Sequence, residues 1–150
     1  MSSRSEIDES LIAGALALVA TSGSAELSVR SLASAGGRST MCVYSHFGGR
    51  GGLLTAAYAR AAEGLLQAMD AAVSDATAAD AAGRAREAYL AWAGQDLRRY
   101  RLLFASELEP LDIDPAVRGR LVDDVAERLG GRDRWAAAHG EVSLDLVTIG

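Results

Sequence analysis

The sequence predicts an all-α protein, and three observations support that fold class. Alanine is abundant and prolines number only 2, a composition that favours helices. Apolar residues recur at helical spacing along most of the chain, and no alternating strand pattern is present. The 150 residues suffice for one domain, or for two small domains that share a core.

Apolar periodicity and cap residues predict four helices in the first half of the chain. These cover residues 5–22, 28–36, 39–46 and 50–73. Ser5 with Asp8 resembles a capping box at the first helix, and Gly23 is suited to end it. Ser28 is a good N-cap for the second helix. The third begins at Ser39 or Thr40, and the segment "GGRGG" separates it from the fourth.

The second half of the chain predicts four more helices. These cover residues 80–98, 100–108, 115–129 and 133–148. The segment "EPLDIDP" is the clearest linker. Asp114 followed by Pro115 is typical of an N-cap and first helical position, so it marks the start of the seventh helix.

Charge is distributed unevenly along the chain, whose formal net charge is −5. Residues 27–60 contain four arginines and no acid, whereas the flanking segments are acidic. A local excess of positive charge indicates contact with a polyanion, although a solvated surface would give the same pattern. The chain contains no lysine, which excludes the lysine-dependent classes of nucleotide-binding loop and Schiff-base enzyme.

The second and third predicted helices have the pattern of a helix-turn-helix motif. Both are short, and a turn containing Gly37 joins them. Ala33 is small enough for two helices to cross closely, and glycine tolerates the positive φ that such a turn needs. The third helix is then expected to enter a DNA major groove.

Residues 5 to about 66 resemble the N-terminal DNA-binding domain of the TetR family of transcriptional regulators. The segments that carry the resemblance are "LSVRSLA" at 27–33, Gly37, Ser39, "VYSHF" at 43–47, Arg50 and "LL" at 53–54. The segment "WAAAHGEVSLDLV" at 135–147 resembles the Trp-x-x-x-His-Gly segment of one TetR ligand-domain subclass.

The resemblance implies two domains. A three-helix DNA-binding domain with the helix-turn-helix is expected over residues 1–50, with a connecting helix over about 50–73. A helical-bundle domain for ligand binding and dimerisation is expected over residues 74–150. Family members usually continue by one or two helices, so this domain is expected to be truncated or to pair differently.

The resemblance also implies nine residues that contact DNA. They are Arg30, Ser39, Thr40, Met41, Cys42, Tyr44, Ser45, His46 and Arg50. Side chains of the third helix would read base edges, whereas Tyr44, His46 and the two arginines would hold the phosphate backbone. Other roles remain open for three of them: Tyr44 as a wedge between helices, His46 as a brace for the turn, and Cys42 as a redox sensor.

Five residues of the second half are candidates to line a ligand pocket. They are Tyr89, Trp92, Phe104, Trp135 and His139. Ordinary core packing is the alternative for each of them.

The chain departs from the family pattern at three places. Arg38 occupies a position that is usually apolar, and Gly36 adds a second glycine to the turn. Gly51 and Gly52 are expected to weaken the start of the fourth helix, because each costs up to about 1 kcal/mol against alanine within a helix.

The functional expectation is a ligand-responsive transcriptional repressor that binds a near-palindromic operator as a homodimer. Its partners are double-stranded DNA and an unknown small-molecule effector. No cofactor, metal, catalytic role or membrane span is expected, and the single Cys42 fits a cytoplasmic location. The alternative is a helical interaction module that has lost DNA binding.

Overall fold

A computed structural model describes the backbone of residues 3–149 and the side chains of residues 3–144. This part of the chain contains eight α-helices, two short 3-10 turns and no strand, which confirms the all-α class. The helices are α1 (Arg4–Thr21), α2 (Val29–Ala35), α3 (Thr40–Phe47), α4 (Arg50–Val73), α5 (Ala78–Gln95), α6 (Leu97–Phe104), α7 (Ala116–Leu129) and α8 (Arg132–Ile149). The turns are Ser24–Glu26 and Glu109–Leu111.

The chain divides into two compact units. Unit 1 comprises Met1–Ala61 and Arg101–Pro115, and unit 2 comprises Ala62–Tyr100 and Ala116–Gly150. Two of the three divisions fall within α4 and α6, and the third falls in the connection just before α7. Residues 101–115 therefore group with the N-terminal helices, an arrangement that the sequence pattern does not indicate.

Unit 1 is built on an apolar core to which α1 to α4 and the segment 101–115 all contribute. Its most deeply buried side chains include Leu11, Leu32, Val43, Leu53, Leu102, Leu103 and Ile113. The hydroxyl of Tyr58 donates a hydrogen bond to the carbonyl of Leu103 at 2.8 Å within this core. The core holds α2 and α3 in fixed positions and leaves part of α3 exposed.

Close approach between α1 and the end of α2 explains the extra glycine of the turn. A Cβ at Gly14 would lie 2.5 Å from the backbone nitrogen of Gly36, and a Cβ at Gly36 would lie 3.0 Å from the Cα of Leu11. Gly14 therefore cannot carry a Cβ without a shift of backbone, and Gly36 is closely packed. Gly37 has φ +66°, which confirms the positive φ expected of the turn.

The helix caps agree with the sequence at α2 and α3 and differ at α1. Ser28 caps α2 in a capping box, and Ser39 caps α3. The prediction of Ser5 as the cap of α1 is wrong, because Ser3 is the N-cap and accepts from the amide of Glu6 at 3.2 Å. The carboxylate of Asp8 instead contacts His46.

Unit 2 has its own apolar core and an ion pair that joins two of its helices. Buried side chains of this core include Leu65, Met69, Tyr89, Tyr100, Leu121, Val125, Leu129, Ala138 and Val142. The guanidinium of Arg128 donates to both carboxylate oxygens of Asp70, at 2.7 and 3.0 Å. These hydrogen bonds hold the pKa of Asp70 below its ordinary value.

None of the helices in the described part of the chain combines the length and apolar character that crossing a membrane requires.

Candidate nucleic-acid interface

Helix α3 presents one side to solvent and the opposite side to the core of unit 1. Thr40, Met41, Tyr44 and Ser45 are exposed, at the spacing that places residues on one side of a helix. Met41 is 75% exposed and Tyr44 is 59% exposed, whereas Val43 is completely buried. Two of the three large hydrophobic side chains exposed in the described residues therefore lie on this short helix.

The two ends of α3 are fixed by local hydrogen bonds. The hydroxyl of Ser39 accepts from the amide of Cys42 at 3.4 Å and lies equally close to the Cys42 sulfur. Gly48 ends the helix in the left-handed conformation, with φ 77°. The half-buried Cys42 therefore lies at the edge of the exposed side, and the predicted position Ser39 has a structural role as the cap.

His46 ties the inner side of α3 to α1. Its Nδ1 atom lies 2.6 Å from a carboxylate oxygen of Asp8, and its side chain is only 13% exposed. This contact joins α3 to α1, which differs from the bracing of the turn that the sequence left open for His46. Tyr44 is not wedged between helices, because its exposed ring lies beside the backbone of Gly49, 3.7 Å from where a Cβ would stand.

Arg50 lies at the start of α4 and its guanidinium joins three segments of unit 1. It donates to the carbonyls of Leu27, of Ser24 at 3.0 Å and of Pro110 at 2.9 Å, and to the carboxylate of Asp112 at 2.7 Å. The side chain of Arg50 is 20% exposed. Its donors are thus used within the protein, whereas the side chain of Arg30 on α2 is exposed to solvent.

Replacing Arg50 with alanine is expected to lower the free energy of unfolding by about 2 kcal/mol, because four charge-assisted hydrogen bonds are lost, one of them to the carbonyl of the buried Leu27. The matched variant Arg30→Ala removes the same side chain from an exposed position and is expected to change stability by less than ~0.5 kcal/mol. Urea denaturation followed by far-UV circular dichroism measures both. Equal stability of the two variants would show that the Arg50 contacts do not hold unit 1 together.

Two further arginines of the basic segment are also engaged within unit 1. Arg38 donates from Nε to the hydroxyl of Ser10 at 2.9 Å, so it braces α1. Arg60 donates to both carboxylate oxygens of Glu9, at 2.6 and 2.5 Å, and holds the pKa of Glu9 below its ordinary value. Unit 1 as a whole contains six arginines and eight acids, a net charge of −2.

Three of the predicted ligand residues meet in a partly buried cluster of unit 2, together with one that the sequence did not single out. The hydroxyl of Tyr100 lies 2.5 Å from that of Tyr89 and 2.7 Å from Nδ1 of His139. Trp135 stacks on His139 with ring centroids 5.0 Å apart. We call Tyr89, Tyr100, Trp135 and His139 the aromatic cluster.

The aromatic cluster is uncharged at neutral pH. Burial raises the pKa of Tyr89 to about 12 and raises that of Tyr100 further. Burial, together with the positive charge of Arg118, lowers the pKa of His139 from its ordinary value of 6.5. Each hydroxyl and ring nitrogen is therefore available as a neutral hydrogen-bonding group.

The stability of unit 2 is expected to fall as pH drops below about 6.5, because the unfolded chain then binds a proton that folded His139 resists. The contribution of neutral His139 to the free energy of unfolding is complete above the unfolded pKa and is lost as pH falls toward the lower folded pKa. His139→Gln retains hydrogen bonding without this titration. Its stability is expected to decline less than that of the parent between about pH 7.5 and 5.5, measured by urea denaturation. Parallel declines would contradict the burial of His139.

The other two predicted ligand residues lie outside the aromatic cluster. Trp92 is half-buried on α5 beside Gly64, whereas Phe104 is buried and belongs to unit 1. A surface pocket of about 270 Å³ in unit 2 is lined by other residues, which are Ala82, Gly83, Arg86, Leu129, Arg134 and Ala137. Alanine, glycine, leucine and arginine are common on any helix surface. The sequence therefore contains no signal that marks these residues as the lining of a pocket.

Comparison with known proteins finds no protein-family model that matches this chain, and no curated protein that matches it.

Proposed function

We propose that this protein is a sequence-specific DNA-binding transcriptional regulator of the TetR type, and that α3 is its recognition helix. The observation that carries the proposal is the exposed side of α3, where Met41 and Tyr44 are 75% and 59% exposed. This side is free of acids, and α3 is held against α2 through the tight turn at Gly37. Two short helices so joined are the element that enters a major groove.

The geometry suggests how the nine predicted residues divide their roles. Thr40, Met41 and Ser45 are exposed along α3 and are proposed to meet base edges. Tyr44 and Arg30 are exposed and are proposed to hold phosphates. The remaining members of the set are proposed to position α3 through contacts inside unit 1; they are Ser39, Cys42, His46 and Arg50.

The regulator is proposed to act in the cytoplasm as a homodimeric repressor with a small-molecule effector. Two copies of α3 would enter successive major grooves of a near-palindromic operator. An effector that binds one conformation better than another would shift the population between DNA-binding and non-binding states. The aromatic cluster and the nearby residues of unit 2 are the proposed location of that effector. Sedimentation with and without DNA tests the dimer, and a purely monomeric protein at micromolar concentration would exclude it.

DNA binding is tested by enriching a random-sequence duplex pool on the full chain and measuring mobility shifts on the selected site. We expect affinity to fall with salt, and the slope of log K against log salt to decrease by about 0.9 for each phosphate contact removed by Arg30→Ala. Tyr44→Phe is expected to weaken binding on all sequences, and Thr40→Ala to change sequence preference. Arg132→Ala removes the same charge from unit 2 and serves as the control. Absence of any enriched site and of any salt-dependent shift would contradict the proposal.

A helical interaction module without DNA binding is the second candidate, and the charge of unit 1 favours it. Its net charge of −2 and the internal use of Arg50 and Arg60 leave few arginines for phosphates. An exposed methionine and tyrosine are also suited to a protein partner. A complex that is insensitive to salt and to Arg30→Ala, but lost in Met41→Ala, would favour this candidate.

A further inference from the structure

We propose that α3 selects thymine through its C5-methyl group, with Met41 as the main specificity-determining residue. This inference rests on the proposed DNA binding by α3 and names what the helix reads. It follows from the chemistry of the exposed side chains and from the large exposed fraction of one of them.

The exposed side of α3 carries only apolar groups (methyl, thioether and one aromatic ring) and hydroxyls. Its members are Thr40, Met41, Tyr44 and Ser45. Helix α3, which the structure describes in full, contains no arginine, lysine, asparagine, glutamine, aspartate or glutamate. Its single imidazole, on His46, is paired with Asp8 and is 13% exposed.

Each base pair offers a distinct set of groups in the major groove, and the missing side chains are those that read three of the four bases. Guanine is read by the paired donors of arginine or lysine, adenine by asparagine or glutamine, and cytosine by a carboxylate. Serine and threonine hydroxyls accept several bases and discriminate little. Thymine is the base read by apolar contact, through its methyl group. The exposed side of α3 is equipped for that contact and lacks the side chains that specify the other three bases.

Met41 is the residue best placed to make the contact. It lies in the first turn of α3, the part of a recognition helix that meets base edges, and 75% of its side chain is in water. A flexible thioether adapts its shape to a methyl group, and covering both apolar surfaces removes them from water. The methyl of Thr40, one residue earlier, adds a second apolar contact on the same side of the helix.

Arg30 does not supply the missing guanine reader under this arrangement. It lies on α2, the first helix of the pair, which crosses the phosphate backbone when the second occupies the groove. The arginine therefore adds affinity without base preference, which leaves selection to α3.

The test uses the full chain, its site selected from a random duplex pool, and the same site with each thymine in turn replaced by deoxyuridine. Deoxyuridine pairs as thymine does and lacks only the C5-methyl. We expect the selected half-site to contain thymines, and one or two replacements to weaken binding about four-fold each, the value for one buried methyl-sized group. This sensitivity should vanish in Met41→Ala and persist in Met41→Leu, which retains the apolar volume.

Different results identify which proposal fails. Salt-sensitive binding of a selected site that tolerates deoxyuridine at every position, in the parent and in Met41→Ala alike, would overturn thymine-methyl reading while leaving DNA binding in place. A half-site that requires guanine and contains no thymine would overturn it too. Failure to enrich any duplex would overturn the DNA-binding function and this inference together. Deoxyuridine sensitivity that disappears in Met41→Ala and remains in Met41→Leu supports both.

Discussion

Gly52→Ala is expected to destabilise unit 1 by about 3 kcal/mol, the upper part of the range for overpacked positions. A Cβ at Gly52 would lie 1.7 Å from the carbonyl oxygen of Phe47, at the end of α3. No rotamer relieves this clash, because both atoms belong to backbone or are fixed to it. The start of α4 must therefore shift, and the position of α3 against it must change as well.

A glycine in the same helix provides the control. A Cβ at Gly64 would meet its nearest neighbour, Nε1 of Trp92, at 3.8 Å, an ordinary contact. Gly64→Ala is therefore expected to be neutral or to stabilise α4 by up to about 1 kcal/mol. Urea denaturation followed by circular dichroism compares the two variants. Because both tryptophans belong to unit 2, their fluorescence reports on that unit separately. A Gly52→Ala variant as stable as the parent would show that α3 and α4 do not approach so closely.

Tyr100→Phe is expected to lower the free energy of unfolding by about 2 kcal/mol, because its one hydroxyl hydrogen-bonds both the buried Tyr89 and the half-buried His139. The change leaves the Tyr89 hydroxyl and Nδ1 of His139 each short of one hydrogen bond inside unit 2. We expect the melting temperature to fall by about 5 °C. The transition is followed by tryptophan fluorescence, since Trp135 stacks on His139.

Tyr44→Phe is the matched control for this second prediction. It removes the same hydroxyl from a side chain that is 59% exposed, so stability is expected to change by less than ~0.5 kcal/mol. If both phenylalanine variants melt at the temperature of the parent, the aromatic cluster does not depend on its hydrogen bonds. A loss confined to Tyr100→Phe would support the geometry described for unit 2.

Local sequence signals predicted most of the fold. All eight predicted helices are present, because apolar periodicity and cap residues such as Ser28 and Ser39 act within a few residues of where they stand. The exposed positions Thr40 and Tyr44 are likewise consequences of helical spacing around the buried Val43. The error at Ser5 arose because Ser3 and Ser5 are each followed three residues later by an acid, and periodicity does not choose between them.

Contacts between segments distant in the chain were beyond prediction. Nothing near Arg50 in sequence indicates Asp112 or Pro110 as partners, and nothing near Tyr100 indicates His139. Helix propensity alone predicts that Gly52 weakens the start of α4. In the structure, its missing side chain allows the carbonyl of Phe47 to lie close to the backbone of α4. Glycine at this position lowers helix propensity, but the close contact with the end of α3 requires it.

The acidic balance of unit 1, with six arginines against eight acids, has a consequence for how a regulator would find its target in a genome. Electrostatic attraction to phosphates supplies almost all of the binding to random sequence, where millions of sites compete. A DNA-binding unit with little such attraction would bind less to nonspecific chromosomal DNA. A larger share of a few protein copies would then remain free to occupy the intended promoter.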